Sequence, residues 1–350
     1  MSSTFGEKIK ISVFGESHGN AIGVVLDGFP SGIEIDMEHL LHFMSRRAPG
    51  QGAYATARRE ADMPKFLSGV KDGVTTGFPI AIAIENTDQR SKDYNTDAPR
   101  PGHADFTARM RYGESCDMRG GGHFSGRITA PICAAGALCI QLLAKKGINI
   151  GAHIYSIGDI YDTPIDAVSA ENISNIGAFP VFSDEAGEKM LAYIAENKAQ
   201  GDSVGGVIEC GVLGLPAGIG DPMFDGLEGV IAKAVFAVPA VKGVEFGLGF
   251  HVAKLRGSEN NDGFYIENGK IKTSTNNCGG ILGGISTGMP LIFRAAFKPT
   301  PSIAMKQSSV SMSQMTQTEF IVNGRHDPCI VPRAVPVIEA VTAIAIVQFL

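Results

Sequence analysis

The feature that most constrains this chain is an echo between its two halves. Gly28-Phe29-Pro30-Ser31-Gly32-Ile33 returns as Gly214-Leu215-Pro216-Ala217-Gly218-Ile219, and Thr76-Gly77-Phe78-Pro79-Ile80 returns as Thr287-Gly288-Met289-Pro290-Leu291, in the same order. Glycine and proline at matched offsets call for matched turns, and each copy adjoins an apolar run. Read as a duplication, the echo predicts two similar α+β halves packed as one unit, sheets inside and helices outside. Chance is the competing reading, because 44 of the 350 residues are glycine. No low-complexity linker divides the chain. One domain over residues 1–350 is expected, its halves roughly 1–200 and 201–350.

Local patterns place the elements. Ile9 to Phe14 alternates as a strand does, and Ala21 to Leu26 reads as a second strand, closed by Asp27-Gly28. Asp36 can cap a helix whose apolar face is Met37, Leu40, Leu41 and Met44, ending before Pro49-Gly50. Further strands are expected at Lys65–Val70 and Pro79–Glu85. Asn86 to His103 is a long polar loop, a length that usually signals function or disorder. A long helix is expected after Arg119-Gly120-Gly121-Gly122, with Ser125 as cap, Gly147 as stop and a kink at Pro131.

Net charge of −6 and 7% aromatic residues, not interleaved with arginine, argue against nucleic acid as a partner. The six cysteines show no Cys-x-x-Cys spacing, which points to reduced thiols and no metal site. The polar N-terminus and the lack of an apolar run of about 18 residues suggest no signal peptide and no membrane span, hence a cytoplasmic location.

Reactive side chains gather beside glycines at three places. Gly15-Glu16-Ser17-His18-Gly19 follows a strand; it matches Gly-x-Ser-x-Gly, the hydrolase nucleophile elbow, but a strand rather than a helix follows it. Arg100-Pro101-Gly102-His103-Ala104-Asp105 ends the long loop, upstream of Arg109, Arg111, Arg119, His123 and Arg127. Gly324-Arg325-His326-Asp327-Pro328-Cys329 is the third. Each also has a plain reading, as turn backbone for Ser17 and His18, solvated loop for His103 and turn initiation for Asp327. Arg46, Arg47, Arg58 and Arg59 flank one Gly-rich loop, and Arg109 to Arg127 cluster at another. Guanidinium groups beside exposed backbone N–H suit phosphate and carboxylate, so the residues point to an enzyme with a cationic, His-containing pocket for a phosphorylated acid.

Taken together these segments resemble the chorismate synthase family. The likeness includes Asp27-Gly28-Phe29-Pro30, Asn86-Thr87-Asp88-Gln89-Arg90-Ser91, Gly279-Gly280-Ile281-Leu282-Gly283-Gly284-Ile285-Ser286 and Lys298-Pro299-Thr300, and runs from about Phe14 to the C-terminus. The resemblance implies a β-α-β-α sandwich with an internal pseudo-twofold repeat, assembled as a homotetramer. It implies a lyase of aromatic amino-acid biosynthesis, forming chorismate and phosphate from 5-enolpyruvylshikimate-3-phosphate by anti-1,4-elimination with reduced FMN. Two carboxylates and a phosphate give that substrate a charge of roughly −4.

By the same resemblance His18 protonates the leaving phosphate, His103 protonates or stabilises reduced flavin, and Asp327 takes the C6 proton, directly or through flavin N5. Ser17 and Ser125 relay protons. Flavin contacts map onto His123, Phe124 and Ser125, onto Pro239 and Ala240, onto Gly283, onto Lys298, Pro299, Thr300, Pro301 and Ser302, and onto Arg325. Arg46, Arg47 and Arg127 fall at substrate or NADP positions. Either the chain reduces its own flavin with NADPH or it depends on an external flavin reductase.

Two positions depart from the family pattern. His123 stands where many members have arginine, and Ala53 replaces an arginine before the loop tyrosine. Two other classes stay open at this stage: a serine hydrolase using Ser17, and a non-catalytic flavin- or phosphate-binding protein.

Overall fold

The computed structural model describes residues 3–50, 62–87, 97–165, 173, 177–322 and 327–350. Its first elements are β1 (Thr4–Phe5), β2 (Lys10–Gly15), β3 (Ala21–Asp27), α1 (Met37–Arg47), β4 (Lys65–Ser68), β5 (Val70–Lys71), β6 (Val74–Thr75), β7 (Ile80–Glu85), α2 (Asp105–Tyr112) and α3 (Thr129–Ala144). There follow β8 (Asn149–Ile157), β9 (Ile160–Tyr161), α4 (Asp184–Ala199), β10 (Gly206–Leu213), α5 (Leu227–Phe236), β11 (Val241–Phe246), α6 (Gly257–Asn260), β12 (Phe264–Glu267), β13 (Lys270–Thr273), β14 (Ile281–Leu282) and β15 (Ile285–Ser286). The chain closes with β16 (Leu291–Phe297), β17 (Gln307–Ser311), β18 (Thr316–Phe320) and α7 (Val331–Ile346).

The echo in the sequence is an echo in hydrogen bonding. Gly32 N donates to Thr75 O at 2.8 Å, and Gly218 N donates to Ser286 O at 2.9 Å. Ile33 N donates to Thr75 Oγ1, which donates onward to Pro30 O; Ile219 N donates to Ser286 Oγ, which donates to Pro216 O. The sheets follow suit. One is ordered β1-β2-β3-β7-β4 and the other β11-β16-β10-β8-β9, so β2-β3-β7-β4 corresponds to β8-β10-β16-β11. All these pairings are antiparallel, and each copy has a register shift where its last strand joins, at Phe66/Ser68 and at Val241/Gly243. The α+β class and the repeat are therefore present. Because β8 is the counterpart of β2, we propose that the halves join just before Asn149 rather than near residue 200.

The layer order differs from the sequence expectation: the helices lie inside. α3 packs on β2, β3 and β7, α7 packs on β8 and β10, and α3 packs on α7, with α1 and α5 alongside. Composition explains this. α7 buries every residue except Arg333, and α3 buries most of its length. A helix apolar all round has to be a core element. At the crossing a Cβ on Gly136 would lie 2.3 Å from Ala340 Cβ, so glycine is what lets the two helices touch.

Several boundaries also shift. Asp36 caps α1 as expected, accepting from His39 N at 2.9 Å. Ser125 caps only a 3-10 turn, Gly126–Ile128, and α3 begins at Thr129. Pro131 then falls in the first turn, where its missing N–H costs nothing, so no kink is needed. α2 is a helix where the sequence reading placed no element. The stretch Gly126–Ala144 is long and apolar enough to cross a membrane, against the sequence reading, but 78% of an 18-residue window within it is buried inside the fold.

Candidate functional site

The site forms where the turn after β2 meets the Gly-rich segment before α3. Ser17 N donates to Gly122 O at 3.1 Å, seating the turn on that segment. Ser17 and His18 are both buried. Gly120 and Gly121 have φ of +61° and +90°, where other residues are strained. A Cβ on Gly120 would lie 2.5 Å from His18 Nε2 and 2.9 Å from Ser17 Oγ. One on Gly121 would lie 3.1 Å from His103 Nε2 and 3.5 Å from Ser125 Cβ. Two bare glycines thus allow Ser17, His18, His103 and Ser125 to converge from three separate segments.

His103 carries this cluster across to the second half. Its Nδ1 is 2.7 Å from Asp105 Oδ1, and Asp105 is gripped by Arg100 through Nε and Nη2, both at 2.7 Å. Burial alone would raise the Asp105 carboxyl, but hydrogen bonds from Arg100 and His103 hold it well below the usual range. Arg100 Nη1 reaches Ser302 Oγ at 3.4 Å, and a Cβ on Gly102 would lie 3.5 Å from Pro301 Cβ. From there Thr300 Oγ1 donates to Asp327 O at 2.9 Å, and Lys298 N donates to Ala240 O at 3.0 Å. The run Lys298, Pro299, Thr300, Pro301 and Ser302 therefore joins His103, Asp327 and the Pro239-Ala240 turn.

Beneath the cluster runs a chain of arginines and carboxylates. Arg333 Nη1 pairs with Asp327 Oδ2 at 2.5 Å, and Arg333 Nε donates to Arg47 O at 3.1 Å. Arg47 donates from Nη1 to Asp62 and from Nη2 to Gly126 O. Arg127 pairs with the other Asp62 oxygen and donates to Asn86 Oδ1 at 3.0 Å. Asn86 in turn donates to Glu16 O and Gly19 O, back at the Ser17–His18 turn. The Asp62 side chain is fully buried; burial would raise its carboxyl, but Arg47 and Arg127 hold it below its ordinary value. Among the described residues this chain links three guanidinium groups with two carboxylates.

Other expected residues sit differently. Arg46 turns away to Glu339, in a two-pronged ion pair at 2.6 and 2.9 Å. His123 is pinned between Gly15 O and Ser3 Oγ, both at 2.8 Å, and Phe124 lies 6.1 Å from the Tyr112 ring. Gly283 stands in the β14–β15 turn, and no contact among the described residues joins it to the histidines. Arg325, Arg58, Arg59 and Ala53 lie outside the described residues. All six cysteines are free, and no metal-binding group of His, Cys, Asp and Glu occurs among the described residues. The hydrolase reading loses its geometry: β3 follows the turn, and Ser17 Oγ hydrogen-bonds to nothing among the described residues.

Sequence reasoning missed Asp62 and Arg333 and gave Asp105 no role. Nothing local marks Asp62. Buried arginines require a carboxylate, but the sequence does not say which.

Two of these residues have spare capacity of the kind that an anion such as a flavin phosphate would use. Lys298 is half-buried, and burial together with nearby Lys242 lowers its pKa. No carboxylate pairs with it among the described residues, so an incoming anion would relieve it. Ser17 Oγ is a buried hydroxyl with bonding capacity to spare.

Comparison with known proteins completes the picture. The chorismate synthase family model matches residues 9–350. A chorismate synthase of Dehalococcoides mccartyi is 48% identical, covering 99% of this chain and 96% of the relative. Those of Lancefieldella parvula and Methanosarcina barkeri are 44% and 47% identical, covering 100% and 98% of this chain and 96% and 94% of the relatives. A chorismate synthase crystal structure superposes with a TM-score of 0.77 at 30% identity, over 98% of this chain and 92% of that one.

Proposed function

We propose that this chain, which belongs to the chorismate synthase family and is a carbon–oxygen lyase, makes chorismate and phosphate from 5-enolpyruvylshikimate-3-phosphate. In this anti-1,4-elimination the C3–O bond to phosphate breaks and a proton leaves C6, with no net oxidation. The observation that carries the reading is the meeting of His18 and His103 at Gly120-Gly121, with Asp327 tied to the adjoining Lys298–Ser302 run.

His18 Nε2 delivers the proton to the departing phosphate. Asp327 accepts the C6 proton, and Arg333 keeps the carboxylate aimed. His103 Nε2 serves the reduced cofactor, and Ser17 and Ser125 relay protons. Lys298 to Ser302, the Pro239-Ala240 turn and the His123–Ser125 segment would hold FMN. Reduced FMN, when bound, supplies electron density that eases phosphate departure. Arg47 and Arg127 lend positive potential and fix the site's walls. A homotetramer acting in the shikimate pathway, with reduction by NADPH or an external reductase, belongs to the same proposal.

The test is an anaerobic assay with substrate, FMN and chemical reductant, beside one with NADPH alone. Many chorismate molecules should form per FMN, with no stoichiometric use of reductant. Turnover with oxidised FMN alone would reject the cofactor role. Flavin binding without phosphate release would restore the reading of a binding protein.

A further inference from the structure

His103 has two ring nitrogens, and only one can face the site. Nε2 lies against bare Gly121, where a Cβ would come to 3.1 Å. Nδ1 faces the other way, 2.7 Å from Asp105 Oδ1 and 3.2 Å from Arg100 Nη2. Arg100 Nη2 already donates to Asp105 Oδ1 at 2.7 Å, a shorter and charge-assisted bond. Nη2 has a second hydrogen that can reach Nδ1, but an Nδ1 without hydrogen would set its lone pair against the carboxylate oxygen 2.7 Å away, so Nδ1 donates its own hydrogen to Asp105.

Asp105 could instead be a helix-capping residue, since it opens α2. Its hydrogen bonds say otherwise. Oδ2 accepts from Arg100 N and Nε, at 3.0 and 2.7 Å. Oδ1 accepts from Arg100 Nη2 and His103. α2 itself has no side-chain cap. The carboxylate is turned back toward His103, and a two-pronged arginine fixes its plane. Arg100 is largely buried, and Asp105 and His103 are nearly so, which limits competition from water.

We infer that Asp105, braced by Arg100, is the positioning residue for His103, fixing the imidazole with hydrogen on Nδ1 so that Nε2 is the nitrogen offered at Gly121. Neutral imidazole is otherwise free to carry its hydrogen on either nitrogen, and the bond made by one decides the state of the other. The inference rests on His103 handling a proton in the proposed elimination, and it adds the group that sets which nitrogen does so.

The experiment has two arms. In the first, protein labelled with ¹⁵N-histidine is read by NMR, with His103 assigned through His103→Gln. Wild type should show His103 with hydrogen on Nδ1, and Asp105→Asn should move population toward the Nε2–H form. In the second, Asp105→Asn, Asp105→Glu and wild type are compared in the anaerobic assay. Asp105→Asn should lower kcat about 10–100-fold, part of what a general acid–base group contributes, with KM within about threefold. Asp105→Glu should recover some of that loss.

A wild-type Nε2–H tautomer would overturn the inference, and that reading survives even if the variants do not fold. So would Asp105→Asn with unchanged tautomer and a change in KM or thermal stability alone, the pattern of a purely structural ion pair. A wild-type enzyme that makes no chorismate, yet shows the tautomer shift, would instead sink the proposed elimination and leave the positioning intact.

Discussion

Replacing Asp62 with Asn tests the internal electrostatics of the fold. The side chain of Asp62 is fully buried, and those of Arg47 and Arg127 are 4% and 3% exposed, so solvent hardly screens the group. Asparagine keeps the shape and removes the charge, taking from two adjacent guanidinium ions the carboxylate they share. Breaking a buried pair in this way costs about 3–5 kcal/mol, against under about 1 kcal/mol for an exposed one. Domains of 150–250 residues lose about 2–4 °C in Tm per kcal/mol, and a longer chain sits at the low end, so a fall of roughly 6–10 °C is expected. Urea unfolding should show a lower midpoint at unchanged m-value. Because Arg47 O accepts from Arg333 Nε, and Arg333 holds Asp327, kcat should also drop well below the melting range. A loss under about 1 kcal/mol would refute the argument that this carboxylate neutralises two buried cations.

Three further outcomes are expected. Asp327→Asn should leave flavin binding near wild type while turnover falls ~10²–10⁴-fold; unimpaired turnover in anaerobic assay would remove Asp327 as base. KM for the phosphorylated substrate should rise with ionic strength, though only a few-fold, because most site arginines already face carboxylates; kinetics at low and high salt decide this, and a flat KM would show that steering is absent. His153 is buried between Asp162 and Glu209, 3.0 and 3.1 Å from its two nitrogens. Burial favours its neutral form, but the two carboxylates outweigh this and raise its pKa above 6.5. Its stabilisation is therefore complete below pH 6.5 and lost as pH rises through the raised folded value. Denaturation midpoints from pH 6 upward should fall more steeply for wild type than for His153→Gln, and equal slopes would contradict the assignment.

What the sequence revealed well was whatever short-range chemistry dictates. The matched Gly-Pro turns forecast a repeat because their backbone shapes admit few alternatives, and the bonds around Thr75 and Ser286 realise it. The Asp36 cap was legible for the same reason. Layer order was not, because it depends on which helices are apolar on every side, a property of α3 and α7 that a pattern of strands and turns does not weigh. α2 escaped because its residues, Asp105 to Tyr112, lack a strong apolar face and a side-chain cap.

The site divides along the same line. Its histidines and serines advertise themselves by lying beside glycine, since a reactive side chain that must approach another backbone needs a neighbour without Cβ. The arginines advertised a cationic pocket, a reading that counts charges without their partners. Arg46 answers Glu339, Arg100 answers Asp105, Arg119 answers Asp117, and Arg47 and Arg127 share Asp62. Those partners lie from two to 293 residues away, so only the fold reveals them. This pairing changes the physical picture of the site. A field of bare arginines would attract any anion, whereas guanidinium groups already held by carboxylates present fixed directions and little excess charge. Among the described residues Lys298 has spare capacity, so on the proposed function recognition depends on the shape of the phosphorylated acid as well as on charge. On the proposed function, a substrate of roughly −4 charge is then selected by preorganised donors rather than by the net potential of an acidic protein.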